Sequence, residues 1–166
     1  MKDITKTVAD SFSVSSKLLF PKHMNNEGIL YGGQHLMWID ELAGIVAKRH
    51  CGNAKQRVTT ACIESVDFYK PCYQKDIIDM QGFITYVGNS SMEICIETYT
   101  GDFCDNKMFV NRAYLVLVAL DDNGHPVTVP RLKPASIQEK ERYEAGKQRS
   151  IIRKNERMFV LEQGNK

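Results

Sequence analysis

The chain has 166 residues, of which 43% are hydrophobic and 25% charged, and its formal net charge is +2. This length and composition are typical of one globular domain, and so small a net charge gives no sign of a nucleic-acid-binding protein. The charge is unevenly distributed, because residues 133–166 hold nine Lys or Arg against five Asp or Glu. Such a basic tail either faces phosphate groups or forms a solvated helix.

The cysteines favour a cytoplasmic protein with reduced thiols. There are five of them, with no CxxC pair: Cys51, Cys62, Cys72, Cys95 and Cys104. An odd count without paired spacing predicts neither a disulfide framework nor a metal site. The N-terminus has no apolar run of the kind found in signal peptides, so we expect a cytoplasmic location and no membrane partner.

The first predicted element is a strand at residues 11–20, which Pro21 ends because proline cannot donate to a sheet. A loop follows, closed by Gly28, and a long helix is predicted from Gly32 to His50. The helix is apolar nearly all round, so it must be buried, and Gly52 is placed to end it.

Asp40 is the misplaced residue of this helix. The polar positions Gln34, Glu41 and Lys48 lie seven residues apart on one stripe, whereas Asp40 shares an apolar face with Gly33. A carboxylate on such a face either bridges a neighbouring loop or has a chemical role. Backbone N–H groups at a helix start attract developing negative charge. A carboxylate about two turns below the glycine pair therefore predicts a catalytic base with an oxyanion hole above it.

The pattern then changes to alternation, which predicts four strands joined by short turns. They are Val58–Phe68, Ile77–Val87, Ser90–Thr100 and Met108–Leu120. In the third of them Met92, Ile94 and Ile96 are expected to face inward, with Glu93 and Glu97 outward.

The tail predicts a second helix that starts near Ser136, where the sequence has the S-x-x-E form of a capping box. We expect a kink or break near Gly146. The helix is expected to pack on the surface of the domain or on a neighbouring subunit. The alternative is that Arg149, Arg153 and Lys154 bind phosphates of a ligand.

One long helix beside an antiparallel meander is an α+β architecture, and a single helix wrapped by a curved sheet is the hotdog fold. The sheet is too small to cover every apolar residue, so a dimer joined through its sheets is expected. The predicted division is a hotdog domain at residues 8–132 and a basic helical tail at residues 133–166.

Several short motifs, in order and at set spacings, carry a family resemblance across residues 8–132. They are Asn25-Asn26-Glu27-Gly28, Gly32-Gly33, Asp40-Glu41-Leu42-Ala43, Thr60-Ala61, Val66-Asp67-Phe68, Lys70-Pro71 and Gly88-Asn89-Ser90-Ser91-Met92. This set resembles the hotdog acyl-CoA thioesterases, in the group of the brain acyl-CoA hydrolase and its bacterial single-domain relatives. The resemblance implies hydrolysis of acyl-CoA, with coenzyme A as part of the substrate and no separate cofactor. It also implies a dimer, often assembled into a hexamer as a trimer of dimers.

The resemblance further implies roles for individual residues. Asp40 is the catalytic carboxylate, as general base or as nucleophile, and Asn25 is its partner from the other subunit. Thr60 assists it, and the glycine pair Gly32 and Gly33 offers backbone N–H groups to the thioester carbonyl, with Gly33 the preferred donor. The turn residues near the CoA phosphates are Asn89, Ser90 and Ser91. One position departs from the family, since Ile29 stands where many relatives carry a polar residue.

Two other functions remain open, a hotdog hydratase or dehydratase and a non-catalytic acyl-CoA sensor. The first needs a histidine at the helix, and the four histidines His23, His35, His50 and His125 are interpreted as surface, loop or helix-end residues. The second needs an attached DNA-binding domain, for which the ten residues before the first strand are too few.

Overall fold

The computed structural model describes residues 4–53, 56–101 and 107–164, with side chains up to Val160. Its elements in chain order are β1 (Thr5–Lys6), β2 (Ser13–Leu18), a 3₁₀ turn (Pro21–His23), α1 (Gly32–Cys51), β3 (Arg57–Phe68), β4 (Ile77–Val87), β5 (Ser91–Gly101), β6 (Met108–Leu120), β7 (Arg131–Leu132) and α2 (Ile137–Gly164). The predicted central helix and strands are therefore present, with ends within two residues of the prediction. Cys104 lies outside the described residues.

Five strands form one antiparallel sheet in the order β2-β4-β5-β6-β3, and α1 packs against one of its faces. Alternate strand residues such as Met80, Ile94 and Ile96 are fully buried against this helix, as period-2 patterning requires. The helix contributes a matching fully buried row that includes Ile39 and Val46. The core therefore lies between one helix and one sheet.

Gly82 of β4 lets the helix approach the sheet closely. A Cβ at this position would lie 2.8 Å from Val46 Cγ2 and 2.9 Å from Ile96 Cδ1. Because these separations are shorter than van der Waals contact, any larger residue would push α1 away from the sheet.

The ends of α1 follow the sequence signals. The helix begins at Gly32 after the extended residue Tyr31, and it ends at Gly52, whose φ of 67° is the left-handed conformation of a C-cap. Burial is incomplete on one flank, where Met37 and Ile45 are about half exposed. These apolar residues lie beside Asp40 and are available to a partner chain.

Strand β3 forms one edge of the sheet and departs from the predicted alternation. Two register shifts interrupt its pairing with β6, between Thr60 and Cys62 and between Ile63 and Ser65. Such bulges re-aim side chains. Ile63 and Phe68 remain exposed, as expected of an edge that no strand of the described chain covers.

The tail helix α2 covers the outer face of the sheet, and it corrects one sequence prediction. Glu93 and Glu97 do point away from the core, but they are buried rather than exposed, because α2 lies over them. The helix also runs through Gly146 without the predicted break. Gly146 is buried against β4 and β5, where a Cβ would lie 2.7 Å from both Glu93 Oε1 and Tyr86 Cβ. Glycine suits this position because any side chain would hold the helix away from the sheet.

The predicted capping box starts this helix. The hydroxyl of Ser136 accepts a hydrogen bond of 3.1 Å from the backbone N–H of Glu139, whose own carboxylate accepts from the N–H of Ala135 at 2.6 Å. Two donors at the helix start are thereby satisfied.

Sequence patterning missed the small parallel pairing of β1 with β7, since two-residue strands are too short to show a period. Among the described residues, no helix has both the length and the apolar character needed to cross a membrane.

Candidate active site

Asp40 and Thr60 meet at the open side of α1. Thr60 Oγ1 donates a hydrogen bond of 2.6 Å to Asp40 Oδ1. Asp40 is half-buried and Thr60 is exposed in the single chain. The hydroxyl holds one carboxylate oxygen in place, and the second oxygen has no hydrogen-bond partner among the described residues.

The two side chains line a cavity of about 580 Å³ between α1 and β3, which we call the edge cavity. Its other lining residues come from both elements and from β6: Glu41, Gly44, Ile45, Lys48, Val58, Thr59 and Leu117. The cavity opens along the edge of the sheet, so a second chain could close it.

The start of α1 presents backbone donors that the helix itself does not use. The first backbone hydrogen bond of the helix runs from the N–H of His35 to the carbonyl of Tyr31, at 3.1 Å. The N–H groups of Gly32, Gly33 and Gln34 precede it and have no helical acceptor, and no side chain caps them. They therefore form a site for a developing negative charge.

Gly33 itself is covered by the ring of Tyr31. A Cβ on Gly33 would lie 2.6 Å from Tyr31 Cε1, so the ring packs directly on the glycine. Gly33 and Asp40 are seven residues apart, which places them on the same side of the helix about 10 Å apart along its axis.

Asn25 is fixed by its own loop. Its Oδ1 accepts hydrogen bonds from the backbone N–H of Glu27 at 2.9 Å and of Ile29 at 3.2 Å. Gly28 completes the turn with a φ of 73°, a conformation that favours glycine. The amide Nδ2 is left as a donor with no partner in the described chain. Ile29 contributes its backbone here, so the departure from the family pattern at its side chain leaves this turn intact.

Asn25 lines a second cavity of about 400 Å³, which we call the loop cavity. It is lined by Asn25, Ile29, Leu30, Gly32, His35, Phe68, Tyr69, Lys70, Pro71, Cys72 and Val110. Asp40 and Thr60 are not among them. Within one chain, the structure brings Asn25 together with Gly32 and Asp40 together with Thr60, but it does not join the two pairs.

The turn residues Asn89, Ser90 and Ser91 lie elsewhere. The carbonyls of Asn89 and Ser90 accept hydrogen bonds from the backbone of Val129 and Ala119. Ser91 lines a third cavity, the tail cavity, on the outer face of the sheet beside Lys154 and Arg157 of α2. In one chain these residues are therefore separated by the sheet from Asp40.

Two of the three tail cations considered for phosphate binding already have carboxylate partners. Arg149 binds the buried Glu93 through two nitrogens, at 2.7 and 3.2 Å. Arg153 pairs with Glu64 and lies 3.8 Å from Glu93. Because Lys154 makes no ion pair among the described residues, only it remains available from this set.

Sequence reasoning missed the burial of His35, which is 2% exposed. Its Nε2 lies 3.0 Å from Thr98 Oγ1, and burial lowers its pKa to about 4. The signal was present, because positions 35, 39, 42 and 46 repeat at the spacing of one buried helix face. His50 is also fully buried and bonds to the carbonyl of Pro130 at 2.9 Å.

No group of three or more His, Cys, Asp or Glu side chains is arranged to hold a metal ion within residues 4–53, 56–101 and 107–164. The edge cavity offers a carboxylate and a hydroxyl, and the loop cavity offers an amide beside the backbone donors at the start of α1; groups of these kinds suit acyl transfer to water.

Comparisons with known proteins by family and by sequence agree with each other. Residues 27–102 match the model of the thioesterase superfamily. The chain is 36% identical over 152 residues to the uncharacterized acyl-CoA thioester hydrolase YkhA of Bacillus subtilis (strain 168), covering 91% of this chain and 87% of that protein.

Two solved structures are similar in fold and in sequence. An acyl-CoA hydrolase of Staphylococcus aureus, solved with butyryl coenzyme A, coenzyme A and coenzyme A disulfide, has a TM-score of 0.88 and 34% identity, with 96% of each chain covered. Its structures include variants in which one aspartate, one asparagine and one threonine are each replaced by alanine. An apo-hexameric acyl-CoA thioesterase has a TM-score of 0.86 and 31% identity, covering 92% of this chain and 97% of that one.

Proposed function

Because this chain belongs to the thioesterase superfamily, among its hotdog-fold acyl-CoA thioester hydrolases, we propose that it hydrolyses acyl-CoA to a free acid and coenzyme A. The observation that carries the proposal is the Asp40 carboxylate, oriented by Thr60 at 2.6 Å and open to the edge cavity. A thioester carbonyl is weakly stabilised by resonance, so an oriented carboxylate and a few donors are sufficient for its hydrolysis. The reaction uses no cofactor.

In the proposed reaction the free oxygen of Asp40 activates the nucleophile. As general base it removes a proton from a water molecule that attacks the thioester carbon, and it returns the proton to the leaving thiolate. As nucleophile it attacks the carbon itself and expels the coenzyme A thiolate, and water then attacks the Asp40 carbonyl carbon of the resulting anhydride and releases the free acid. Single turnover in ¹⁸O-labelled water distinguishes the two, since attack at that carbon places the label in Asp40, whereas the general-base route places it in the free acid.

The negative charge that develops on the carbonyl oxygen is assigned to the start of α1. Gly33 is the preferred donor, with Gly32 beside it, because their N–H groups lack helical acceptors. Removing one such donor typically lowers kcat about 10²-fold to 10³-fold.

The proposed site is completed by two chains. Asn25 and Asp40 of one chain line separate cavities, so the Nδ2 donor of Asn25 is assigned to the Asp40 of a partner. The free edge of β3 and the half-exposed Met37 and Ile45 of α1 support a dimer joined along this edge.

We further propose that three dimers of this chain form a hexamer, and one relative of known structure is hexameric. Large exposed apolar residues lie on the side of α2 that faces away from the sheet: Ile137, Ile151, Ile152, Met158 and Phe159. Four of them lie between residues 151 and 159, and a cluster of exposed apolar residues on a solvent-facing helix is typical of a protein interface. In this assembly Asn89, Ser90 and Ser91 are assigned to the CoA phosphates.

The proposed setting is the cytoplasm, with acyl-CoA as partner and neither nucleic acid nor membrane. Among the described cysteines Cys51, Cys62, Cys72 and Cys95 are free thiols. Burial raises the pKa of Cys72 to about 11 and that of Cys95 to about 12, so neither thiol is suited to be a nucleophile.

A thiol-release assay tests the proposed function. The purified protein is incubated with acyl-CoAs of increasing chain length, and free coenzyme A is measured with a thiol reagent. Release of thiol by the wild type and not by Asp40→Asn supports hydrolysis. A protein that binds coenzyme A but releases no thiol from any acyl-CoA would instead be a sensor, and a hydratase would change the acyl chain without releasing thiol.

A further inference from the structure

His35 combines burial with access to the loop cavity. Its ring lies in the first turn of α1, with its centroid 5.6 Å from that of Phe68. Both side chains line the cavity that also holds Asn25. The catalytic scheme proposed above leaves this histidine unused.

A chain of buried hydrogen bonds sets the tautomer of the ring. Asn111 Nδ2 donates to the backbone carbonyl of Asp67 at 2.9 Å, which leaves Asn111 Oδ1 as an acceptor. Thr98 Oγ1 lies 3.5 Å from this oxygen, at the outer limit of a hydrogen bond, and 3.0 Å from His35 Nε2. Giving the hydroxyl hydrogen of Thr98 to Asn111 provides each of these buried side chains with a partner, so we assign the hydrogen of the neutral imidazole to Nε2.

The other ring nitrogen, Nδ1, is then a bare acceptor. Burial lowers the pKa of His35 to about 4, so the ring is neutral at physiological pH. Nδ1 makes no hydrogen bond within the described residues. Among these residues the one fully buried side-chain nitrogen or oxygen without a partner is His50 Nδ1, so Nδ1 of His35 has some accessible surface. It therefore opens on the loop cavity.

The surroundings make this acceptor selective. Most of the cavity wall is apolar, with Ile29, Leu30, Phe68, Pro71 and Val110 among its residues. An acceptor in such a place loses free energy if a ligand displaces water without replacing its hydrogen bond. A bound ligand is thus favoured when it brings an N–H or O–H donor to this point.

We infer that His35 is a substrate-binding residue whose Nδ1 accepts a hydrogen bond from a donor group of the acyl-CoA in the loop cavity. The inference rests on the proposed function for the identity of the ligand. Two parts of an acyl-CoA supply such donors. The amide N–H groups of the pantetheine arm occur in every acyl-CoA and in coenzyme A, whereas a hydroxyl on the acyl chain occurs only in hydroxyacyl-CoAs.

Two matched variants separate the two ring nitrogens. His35→Gln keeps an amide donor near Thr98 but removes the acceptor at the Nδ1 position, whereas His35→Asn keeps an amide oxygen near Nδ1. Folding of both is checked by thermal unfolding. The dissociation constant of coenzyme A and the KM for butyryl-CoA and 3-hydroxybutyryl-CoA are then measured for both variants and the wild type.

If the donor is a pantetheine amide, His35→Gln weakens coenzyme A binding and raises both KM values by about tenfold, while His35→Asn stays closer to the wild type. If the donor is the acyl hydroxyl, coenzyme A binding is unchanged, and the preference for 3-hydroxybutyryl-CoA over butyryl-CoA falls by about tenfold in His35→Gln. Variants that match the wild type in all three measurements overturn the inference.

A measurement on the wild-type protein covers the case in which the variants do not fold. The ¹⁵N resonances of His35 are recorded with and without coenzyme A, and again with 3-hydroxybutyryl-CoA bound to the Asp40→Asn protein. Nδ1 is expected at an unprotonated position that shifts when the ligand binds, and Thr98→Val is expected to mix the two tautomers. A protonated Nδ1, or one that responds to neither ligand, overturns the inference. Because binding of coenzyme A requires no hydrolysis, failure of the proposed function is seen separately, as absence of thiol release by the wild type.

Discussion

At the residue scale, the proposed chemistry depends on one hydroxyl beside one carboxylate. Thr60 donates a hydrogen bond of 2.6 Å to Oδ1 of Asp40, and Asp40 lines the edge cavity. We expect Asp40→Asn to lower kcat by about 10²-fold or more, because the amide cannot take up a proton. Thr60→Val should lower kcat less, by about tenfold, since the carboxylate remains but loses its orientation.

These rates are measured by thiol release at saturating acyl-CoA. Glu141→Gln serves as the control, since this carboxylate is exposed on α2. A folded Asp40→Asn protein that retains a kcat near that of the wild type would remove Asp40 from the mechanism.

His35 also makes stability depend on pH. Its pKa is about 4 in the folded chain and close to its ordinary value of 6.5 in the unfolded chain, so between these values the unfolded state binds more protons. The free energy of unfolding should therefore fall as the pH drops from 6.5 to 4, by up to about 3 kcal/mol from this residue alone. Burial lowers the pKa of His50 too, and its contribution has the same sign.

Urea unfolding at a series of pH values measures this dependence. His35→Gln should flatten the curve between pH 4 and 6.5, whereas Gln148→Ala, which alters an exposed position of α2 without an ionisable group, should not. Equal slopes for the wild type and His35→Gln would mean that His35 keeps its ordinary pKa in the fold.

At the element scale, α2 is held to the sheet by arginines that meet two buried glutamates. Arg142 lies 3.7 Å from Glu97, and Arg149 lies 2.7 Å from Glu93. Both arginine heads also lie over aromatic rings of the sheet, Phe83 and Tyr114 respectively. Glu97 also pairs with Arg112 of β6 at 2.9 Å, and Glu93 lies 3.8 Å from Arg153, so each buried glutamate is held by more than one arginine. These contacts fix where the helix lies.

Gly146 allows this close docking, so we expect its replacement by alanine to destabilise the protein. Glycine to alanine within a helix ordinarily stabilises it by roughly 1 kcal/mol. Here the new Cβ would overlap Glu93 and Tyr86, so Gly146→Ala should lower the free energy of unfolding by about 1–3 kcal/mol. Denaturant unfolding measures the change. Gln148→Ala, at an exposed position of the same helix, should be neutral or slightly stabilising, and stabilisation by Gly146→Ala would show that α2 is not packed this closely.

The sequence predicted these elements better than it predicted their burial. The bounds of α1 and of the four long strands follow from local signals such as the Gly52 C-cap and period-2 alternation. The burial of Glu93 and Glu97 on the outer face of the sheet depends on α2, which comes much later in the chain, and alternation within one strand cannot show it. A hint was present, since Arg142, Arg149 and Arg153 fall on one face of α2 and match two glutamates four residues apart on β5.

The candidate site was predictable in its parts but not in its arrangement. Asp40 stood out because a carboxylate on an apolar helix face is costly, and Thr60 came from the family resemblance. The bulges of β3, which re-aim side chains near Thr60, leave no mark on the alternation pattern. His35 was grouped with the surface, loop and helix-end histidines because no serine or cysteine lies at a spacing that suggests a catalytic partner.

At the scale of the whole molecule, the separation of Asn25 from Asp40 predicts that inactive chains complement each other. Mixing Asn25→Ala with Asp40→Ala chains should restore roughly a quarter of the wild-type rate per chain, because about half of the dimers are hybrids with one intact site. The rate is measured by thiol release after subunit exchange has been confirmed by mass spectrometry.

A second mixture provides the matched control. Asp40 and Thr60 share one cavity of one chain, so Asp40→Ala mixed with Thr60→Ala should give no more than the average of the two. If the first mixture also gives only the average, Asn25 and Asp40 act within a single chain.

The division of the two cavities also affects how much activity a given amount of protein provides. Under the proposed assembly, a single chain has its Asn25 and its Asp40 in two incomplete sites and cannot turn over substrate. Specific activity should then fall on dilution below the dimer dissociation constant, so that the output of the enzyme rises more steeply than its concentration. A small change in expression near that threshold would produce a larger change in the rate of acyl-CoA removal.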